Sequence, residues 1–522
     1  MDNTSLPVIG KAVIESLTTG MYEDCRFIYR EYIQNSADQI DKAIQQGILL
    51  KNEEEIYIQI SEEGKSIIIE DNATGISSDQ VVTILQDIAS STKKIATDKG
   101  FRGIGRLGGL AYCEKLIFET SYKGENIKSK LIWDAKRLKE IVNNRDIKEH
   151  AADVIRQVTT FTTENENTDN HYFKVILENV NNEDLLNKKD IENYLSMVAP
   201  VPFSKSFLYR RNIIEELQRD GLSLDEYRIF LNGDLINKPY TSIIYTADSK
   251  GQKQRCDEIF DIQYFNEKDQ HGNFLYWGWY GLSTFQKVIE KNCNLARGLR
   301  LRKHNIQIGL EDSLMKLHRE NRGNHYFFGE VHVFHSDLIP NARRDYFVEN
   351  HTCKLFEKKI RSFFHCELYK LYHDASTIRS ATKDIQNHHA LIAELTEKEK
   401  LGFHTQEEKV KLVNKTEDAK KKSDEAKKKL EKLENKKVDS PVGKIMERVK
   451  LTLPEEIKPL RIESPENLEE KKTNYFTDKY SWLPKSERKL LSKVYSTIDK
   501  VLSKDLAKNL IDKIDEEITA RK

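Results

Sequence analysis

Three polar side chains stand out in the first long helical pattern. In Glu31-Tyr-Ile-Gln-Asn35-Ser-Ala-Asp38 an acid, an amide and an acid recur at i, i+4 and i+7, which puts them on one face of a helix. That set can orient a water as a general base and hold an oxygen-seeking cation; its plain alternative is a solvated polar face. A second candidate is IIIEDNATGIS, an isoleucine strand that should be buried yet ends at Glu70-Asp71-Asn72 and a Gly75 turn. A carboxylate there can accept a hydrogen bond from a ligand's exocyclic amine, or it simply marks a strand-to-turn boundary. The third is GFRGIGRLGGLAYC, where Gly103-x-Gly105-x-x-Gly108 opens an apolar segment expected to be helical. Glycines let backbone N–H groups approach a polyphosphate. A Rossmann reading does not fit, because its glycines follow the first strand, and a kinase loop would need further motifs downstream.

The order of the segments adds to their content: an E-x-x-x-N-x-x-D helix, a strand ending in D-x-x-x-G, an intervening stretch, then G-x-G-x-x-G. Over about residues 11–180 this resembles the Bergerat ATP-binding fold of the GHKL superfamily, which includes gyrase, HtpG-type heat-shock chaperones, histidine kinases and MutL. The resemblance implies ATP and Mg²⁺ as cofactors. It implies that Glu31 is the general base for the attacking water and Asn35 the Mg²⁺ ligand. Asp38 would be an acid on the nucleotide-facing side of the same helix, Asp71 the reader of the adenine amine, and Gly75 part of the adenine pocket. Gly103, Ile104, Gly105 and Gly108 would cradle the phosphates. Residues from Ile76 to Phe101, with Ser90-Ser91-Thr92-Lys93-Lys94, would form a lid. Two positions depart from the family pattern: Ala73 stands at the first glycine of D-x-G-x-G, and Tyr172-Phe173 stand where a Gly-Thr pair is usual.

A second resemblance covers the middle of the chain. GLRLRKHNIQIG followed by GEVHVFHSDLIPNARRDYF is similar to the S5-like transducer domain of chaperone and MORC-like members. It implies that the loop Asn341-Ala-Arg343-Arg344-Asp345 sends an arginine to the γ-phosphate, where it would stabilise developing charge. Arg344 is preferred over Arg343, because the chaperone-type motif places its arginine three residues after the asparagine. Lys303 is a weaker alternative sensor. A surface pair holding Asp337 or Asp345 is the plain one.

These residues need elements to hold them. DCRFIYREYIQNSADQIDKAI carries Phe27, Ile28, Ile33, Ala37, Ile40 and Ile44 at helical spacing, EIYIQI and KSIIIE read as strands, and SDQVVTILQDIASSTK reads as a helix capped by Ser78. The expected fold class is α+β: a Bergerat-type α/β sandwich over 1–180, then an α/β transducer over 181–375. A coiled-coil or long helical arm over 376–437 follows, with Leu412, Ala419, Ala426 and Leu433 once per heptad and Lys409 and Ser423 at intervening seam positions. Ser440-Pro441, Pro454, Pro459 and Pro465 mark a linker over 438–475. A helical unit over 476–522 closes the chain, with Leu490, Leu491, Val494, Ile498, Val501 and Leu502 on one face.

Composition narrows the function classes. The 522 residues include 84 Lys+Arg and 84 Asp+Glu, a zero net charge that excludes a uniformly basic nucleic-acid coat. No apolar run approaches the ~20 residues of a membrane span, and the start carries no signal-peptide pattern. The six cysteines form no C-x-x-C pair, which suits a reducing cytoplasm. The stretch with Arg297, Arg300, Arg302 and Lys303 is locally basic, a solvated face or a contact for DNA phosphates. His318, His325, His332 and His335 lack metal-motif spacing and are expected as core or surface histidines. The expected protein is a homodimeric, cytoplasmic ATP hydrolase whose lid closure drives a chaperone-like cycle on a client protein. The alternatives are a MORC-like ATP-gated DNA clamp in a bacterial anti-phage system and a non-hydrolytic ATP-gated scaffold.

Overall fold

The computed structural model describes residues 10–11, 13–14, 24–87, 105–144, 149–434, 440–451 and 474–520. The chain divides into two compact units, Met1–Ser283 with Lys287–Tyr369, and Thr284–Gln286 with Lys370–Lys522.

The first unit opens with helix α1, Phe27–Gln45. Its start is organised by Asp24, whose carboxylate accepts from the Arg26 N–H at 3.0 Å and from the Arg26 guanidinium at 2.8 Å. Its end is set by Gly47, which takes φ +69° as the helix unwinds and so spares an L side chain a strained turn. One flank of α1 buries Ile28, Ile33, Ala37, Ile40 and Ala43.

That flank lies on a sheet. Its strands are β1 (Glu55–Ser61), β2 (Ser66–Asp71), β3 (Lys115–Ser121), β4 (Ile127–Asp134), β5 (Thr159–Asn165), β6 (Tyr172–Glu178), β7 (Arg228–Leu231) and β8 (Asp234–Leu235). The spatial order is β5-β4-β3-β6-β2-β1-β7-β8, antiparallel except where β1 meets β7. Alternation along β1 and β2 sends Ile56, Ile58, Ile67 and Ile69 to the α1 side. Burying each such isoleucine contributes roughly 1.5–3 kcal/mol. The sheet takes in residues 228–235, well past residue 180, through the parallel pairing of β1 and β7. The helix expected to be capped by Ser78 spans Val81–Gln86 in the described residues, and Ser78 is not its cap: the Ser78 N–H instead donates to the Glu125 carboxylate.

The rest of the first unit carries a hairpin, β9 (Ile243–Ala247) with β10 (Lys253–Glu258), and a second sheet. That sheet is built from β11 (Asp261–Lys268), β12 (Phe274–Leu282), β13 (Gly298–Lys303), β14 (Ile306–Gln307) and β15 (Phe328–Val333), in the order β11-β12-β15-β13-β14. Phe203, Phe207, Tyr240, Trp279 and Phe328 pack together beneath it. The basic stretch expected to be a solvated face or a DNA contact is neither: Arg300, Arg302 and Lys303 are buried. Arg297 pairs with Glu311 at 2.9 Å and Arg302 with Glu330 at 2.5 Å. His318 and His332 are buried, His318 stacked on Phe364.

The second unit is helical. Helix Tyr369–Leu401 is followed by Gln406–Glu434, where Lys409, Leu412, Thr416, Ala419, Ser423, Ala426, Leu430 and Leu433 step by three and four and are buried, with Val413 beside them. In the tail, Lys485–Val501 and Lys504–Thr519 bury Tyr495 and Ile511 beside Tyr480. The face named from the leucines is only partly inside: Leu490 is 65% exposed, while Leu491 and Ile498 pack against the buried cluster. Among the described residues no helix is long and apolar enough to cross a membrane.

Candidate functional site

The polar stripe of α1 faces away from the isoleucine core. Glu31 is buried, Asn35 half-buried and Asp38 buried. The Glu31 Oε1 atom lies 3.6 Å from Arg30 Nη2 and 3.3 Å from Arg344 Nε. Neither approach is a hydrogen bond, and Oε1 accepts none among the described residues. Arg344 arrives from the loop after β15, a segment more than three hundred residues away in sequence.

Of the two candidate arginines, the loop turns Arg344 inward and leaves Arg343 exposed. The turn depends on Arg344 itself, which adopts φ +55°, a left-handed conformation uncommon for a residue with a Cβ. Its N–H donates to Asn341 O at 3.1 Å and its carbonyl accepts from Gly309 N at 2.8 Å. Arg343 contributes through its backbone, where its carbonyl accepts from Arg30 Nη2 at 3.3 Å. Asp345 is held by the Asn341 side-chain amide rather than by an arginine of the pair. Lys303, the alternative sensor, donates to His335 O at 2.7 Å, and burial pushes its ammonium down to about 8.

The glycine segment approaches α1 closely. Gly105 begins a short 3₁₀ turn, Gly105–Ala111, where a helix was expected, and Gly108 is buried within it. A Cβ on Gly105 would fall 2.3 Å from Glu31 Oε2. Tyr32 pins the turn: its hydroxyl donates to Arg106 O at 3.0 Å and accepts from Gly109 N at 3.1 Å. Gly103, Ile104 and the lid residues Ser90–Lys94 lie outside the described residues.

Asp71 ends β2 fully inside the domain. Burial pushes its carboxyl up to about 7, against the pull of hydrogen bonds from the Ser36 hydroxyl and the Ala73 and Phe173 N–H groups. Phe173, at the position of the departed Gly-Thr pair, thus serves Asp71 through its backbone, directly across the β2–β6 register. Gly75 takes φ +68°, and a Cβ there would lie 1.9 Å from Ser121 O. Ala73 is fully buried, its carbonyl 2.7 Å from His171 Nδ1. Asp38 stands one turn before Asp41, which accepts from the Tyr227 hydroxyl at 2.7 Å.

Three groups were not foreseen from sequence: Ser36 on Asp71, Tyr32 on the glycine turn, and Arg30 beside Glu31. Arg30 and Ser36 stand one position outside Glu31-to-Asn35 on either side and Tyr32 one position inside it, which is the signal that a wider helix face would have offered.

A helix carrying a buried acid, a sheet carrying a buried aspartate and a glycine turn pressed against the acid are brought together in one domain, an arrangement similar to that of GHKL-type ATPases. Residues 24–168 match the family described as histidine kinase-, DNA gyrase B- and HSP90-like ATPase. Among curated proteins, chaperone protein HtpG of Buchnera aphidicola subsp. Baizongia pistaciae is 29% identical over 169 residues, covering 28% of this chain and 27% of that protein. HtpG of Wigglesworthia glossinidia brevipalpis is 27% identical over 175 residues, covering 30% and 27%. HtpG of Legionella pneumophila (strain Lens) is 27% identical over 144 residues, covering 24% and 23%. The chain thus spans about a quarter of the length of the curated relatives it matches.

Proposed function

We propose that this protein binds ATP with Mg²⁺ and hydrolyses it, with Glu31 as general base and Arg344 as the group that meets the γ-phosphate. The observation that carries this reading is the pairing of Glu31 and Arg344 at 3.3 Å, two groups from distant segments that share no local reason to meet. A base must lie within reach of the water it deprotonates, and a guanidinium beside it offsets charge on the transferred phosphoryl group. Asp71 takes the adenine amine, Gly75 leaves room for the ring, and Gly105 and Gly108 bring backbone to the phosphates together with Gly103 and Ile104. Asp38 extends the polar face of α1 beyond Asn35.

The donor set fits Mg²⁺. That ion keeps several waters and takes few protein oxygens beside phosphates, and Asn35 offers one half-buried neutral amide oxygen on the same face as Glu31. Bound there, Mg²⁺ would neutralise phosphate charge.

A homodimer working on a client protein in the cytoplasm completes the reading. The client is supported by the name of the relatives, chaperone protein, and the compartment by six free cysteines. The burial of Arg300, Arg302 and Lys303 weighs against that basic stretch as a contact for DNA phosphates. Calorimetry on Asp71→Asn tests the pocket. The expected loss of ATP affinity is at least about a hundredfold, because an N–H donor replaces one carboxylate oxygen that would accept from the adenine amine; wild-type affinity would refute the assignment.

A further inference from the structure

We infer that Asn305, locked into a buried charge cluster around Glu330, is a positioning residue that sets Arg344 against Glu31. The inference rests on the ATPase reading above and goes beyond it by naming what places the arginine.

The β13–β14 turn is made by His304 at φ +52° and Asn305 at φ +57°. It is anchored on several sides. Asn305 Oδ1 accepts from Lys238 Nζ at 2.7 Å, and its Nδ2 donates to Asp225 O at 2.7 Å. Its backbone carbonyl accepts from Arg302 Nη1 at 2.9 Å. Arg302 Nη2 donates to Met197 O at 2.6 Å, at the C-terminal end of helix Lys188–Val198, where carbonyls favour a cation. Lys238 and Arg302 then meet on Glu330: Lys238 Nζ lies 2.9 Å from Oε2 and Arg302 Nε 2.5 Å from Oε1. Tyr240 donates to the same carboxylate at 3.1 Å and His332 Nε2 stands 2.9 Å from it.

From this anchor the chain reaches Arg344 in a few residues. Ile308 N donates to Leu301 O at 2.8 Å, and Gly309 N donates to Arg344 O at 2.8 Å. Gln307 Nε2 ties back to Gly309 O at 3.0 Å, while Arg300 Nη1 holds Gln307 Oε1 at 3.4 Å. Gly309 sits at φ +67°, and a Cβ there would lie 2.4 Å from Asp345 O, so the two segments touch backbone to backbone. The Arg344 carbonyl is therefore fixed by a strand end that is itself fixed by the cluster.

Buried ion clusters are poor sources of net stability, since apolar packing of equal volume does as well; setting one register is their best-attested use. Here the register set is that of a short hairpin whose far end, at Gly309, is hydrogen-bonded to the backbone of the arginine of the site.

The test uses the full-length chain with Asn305→Gly, which keeps the left-handed backbone and removes both side-chain ties, alongside Arg344→Ala and the double variant. Asn305→Gly is expected to lower kcat by roughly ten- to a hundredfold, the scale on which about an ångström of misplacement acts, with the ATP KM within about twofold. Its loss should vanish in the Arg344→Ala background, because both changes act through one guanidinium. Amide exchange at Gly309 and Arg344 should quicken in the same variant without nucleotide. Unchanged kcat, or a loss that multiplies with that of Arg344→Ala, overturns the inference. If the wild-type chain binds ATP without turnover, the hydrolysis reading fails while exchange still decides the tether: unchanged protection refutes it. Should Asn305→Gly not fold, Asn305→Asp keeps the Lys238 contact, drops the Asp225 one, and is read by the same two measurements.

Discussion

Glu31 and Glu330 are both buried glutamates faced by arginine, and they differ in how completely they are served. Burial alone would raise the Glu330 carboxyl, but Arg302 and Lys238 hold it well below the usual carboxylate range. Both of its oxygens are occupied, by Arg302 and Tyr240 on one side and Lys238 and His332 on the other. Among the described residues Glu31 has two guanidiniums at 3.3 and 3.6 Å and no hydrogen bond at Oε1. A charge satisfied on every side is scaffolding; a buried charge held loosely is able to exchange its neighbours for a ligand and a water.

The largest effect that can break this comparison is on stability. Glu330→Ala leaves Arg302 and Lys238 buried without their anion and should cost about 3–5 kcal/mol in denaturant unfolding. Glu31→Ala should cost less than half of that; equal losses would erase the distinction. Next comes rate. Arg344→Ala should lower kcat by about 10²–10³-fold, the size seen when one preorganised donor to a transition state is removed, while the melting temperature stays near wild type. Smaller again is Gly75→Ala, where φ +68° and the Ser121 carbonyl leave no room for a methyl. A destabilisation of about 1–3 kcal/mol is expected, with weaker ATP binding.

A further effect is on protons. Asp71 titrates near 7 when folded and near 3.8 otherwise. Between those values the native state binds more protons than the unfolded one, so the ligand-free protein should lose stability as pH rises from about 4 to about 7. An adenine amine favours the ionised form, so ATP binding at pH 7 should release about half a proton. Calorimetry in two buffers of different ionisation enthalpy reads that release, and Asp71→Asn should abolish it.

Much of the site was legible because its parts are local. The α1 stripe follows from helical spacing, the Gly75 turn from a glycine that must take positive φ, and the β13–β14 pair from alternating residues in GLRLRKHNIQIG. What escaped depends on partners far along the chain. Arg302 reads as a surface cation until Glu330 is placed beside it. Ser36 carries no pattern until β2 delivers Asp71 to its hydroxyl. In the tail, leucines predicted the inner face, yet Tyr480 and Tyr495 took it by pairing their hydroxyls at 3.2 Å.

The role of Glu31 is tested most directly by measuring ATP binding and ATP turnover on Glu31→Ala side by side. Binding within a few fold of wild type with turnover reduced to background is the predicted result; near-wild-type turnover would contradict the assignment of Glu31 as the base.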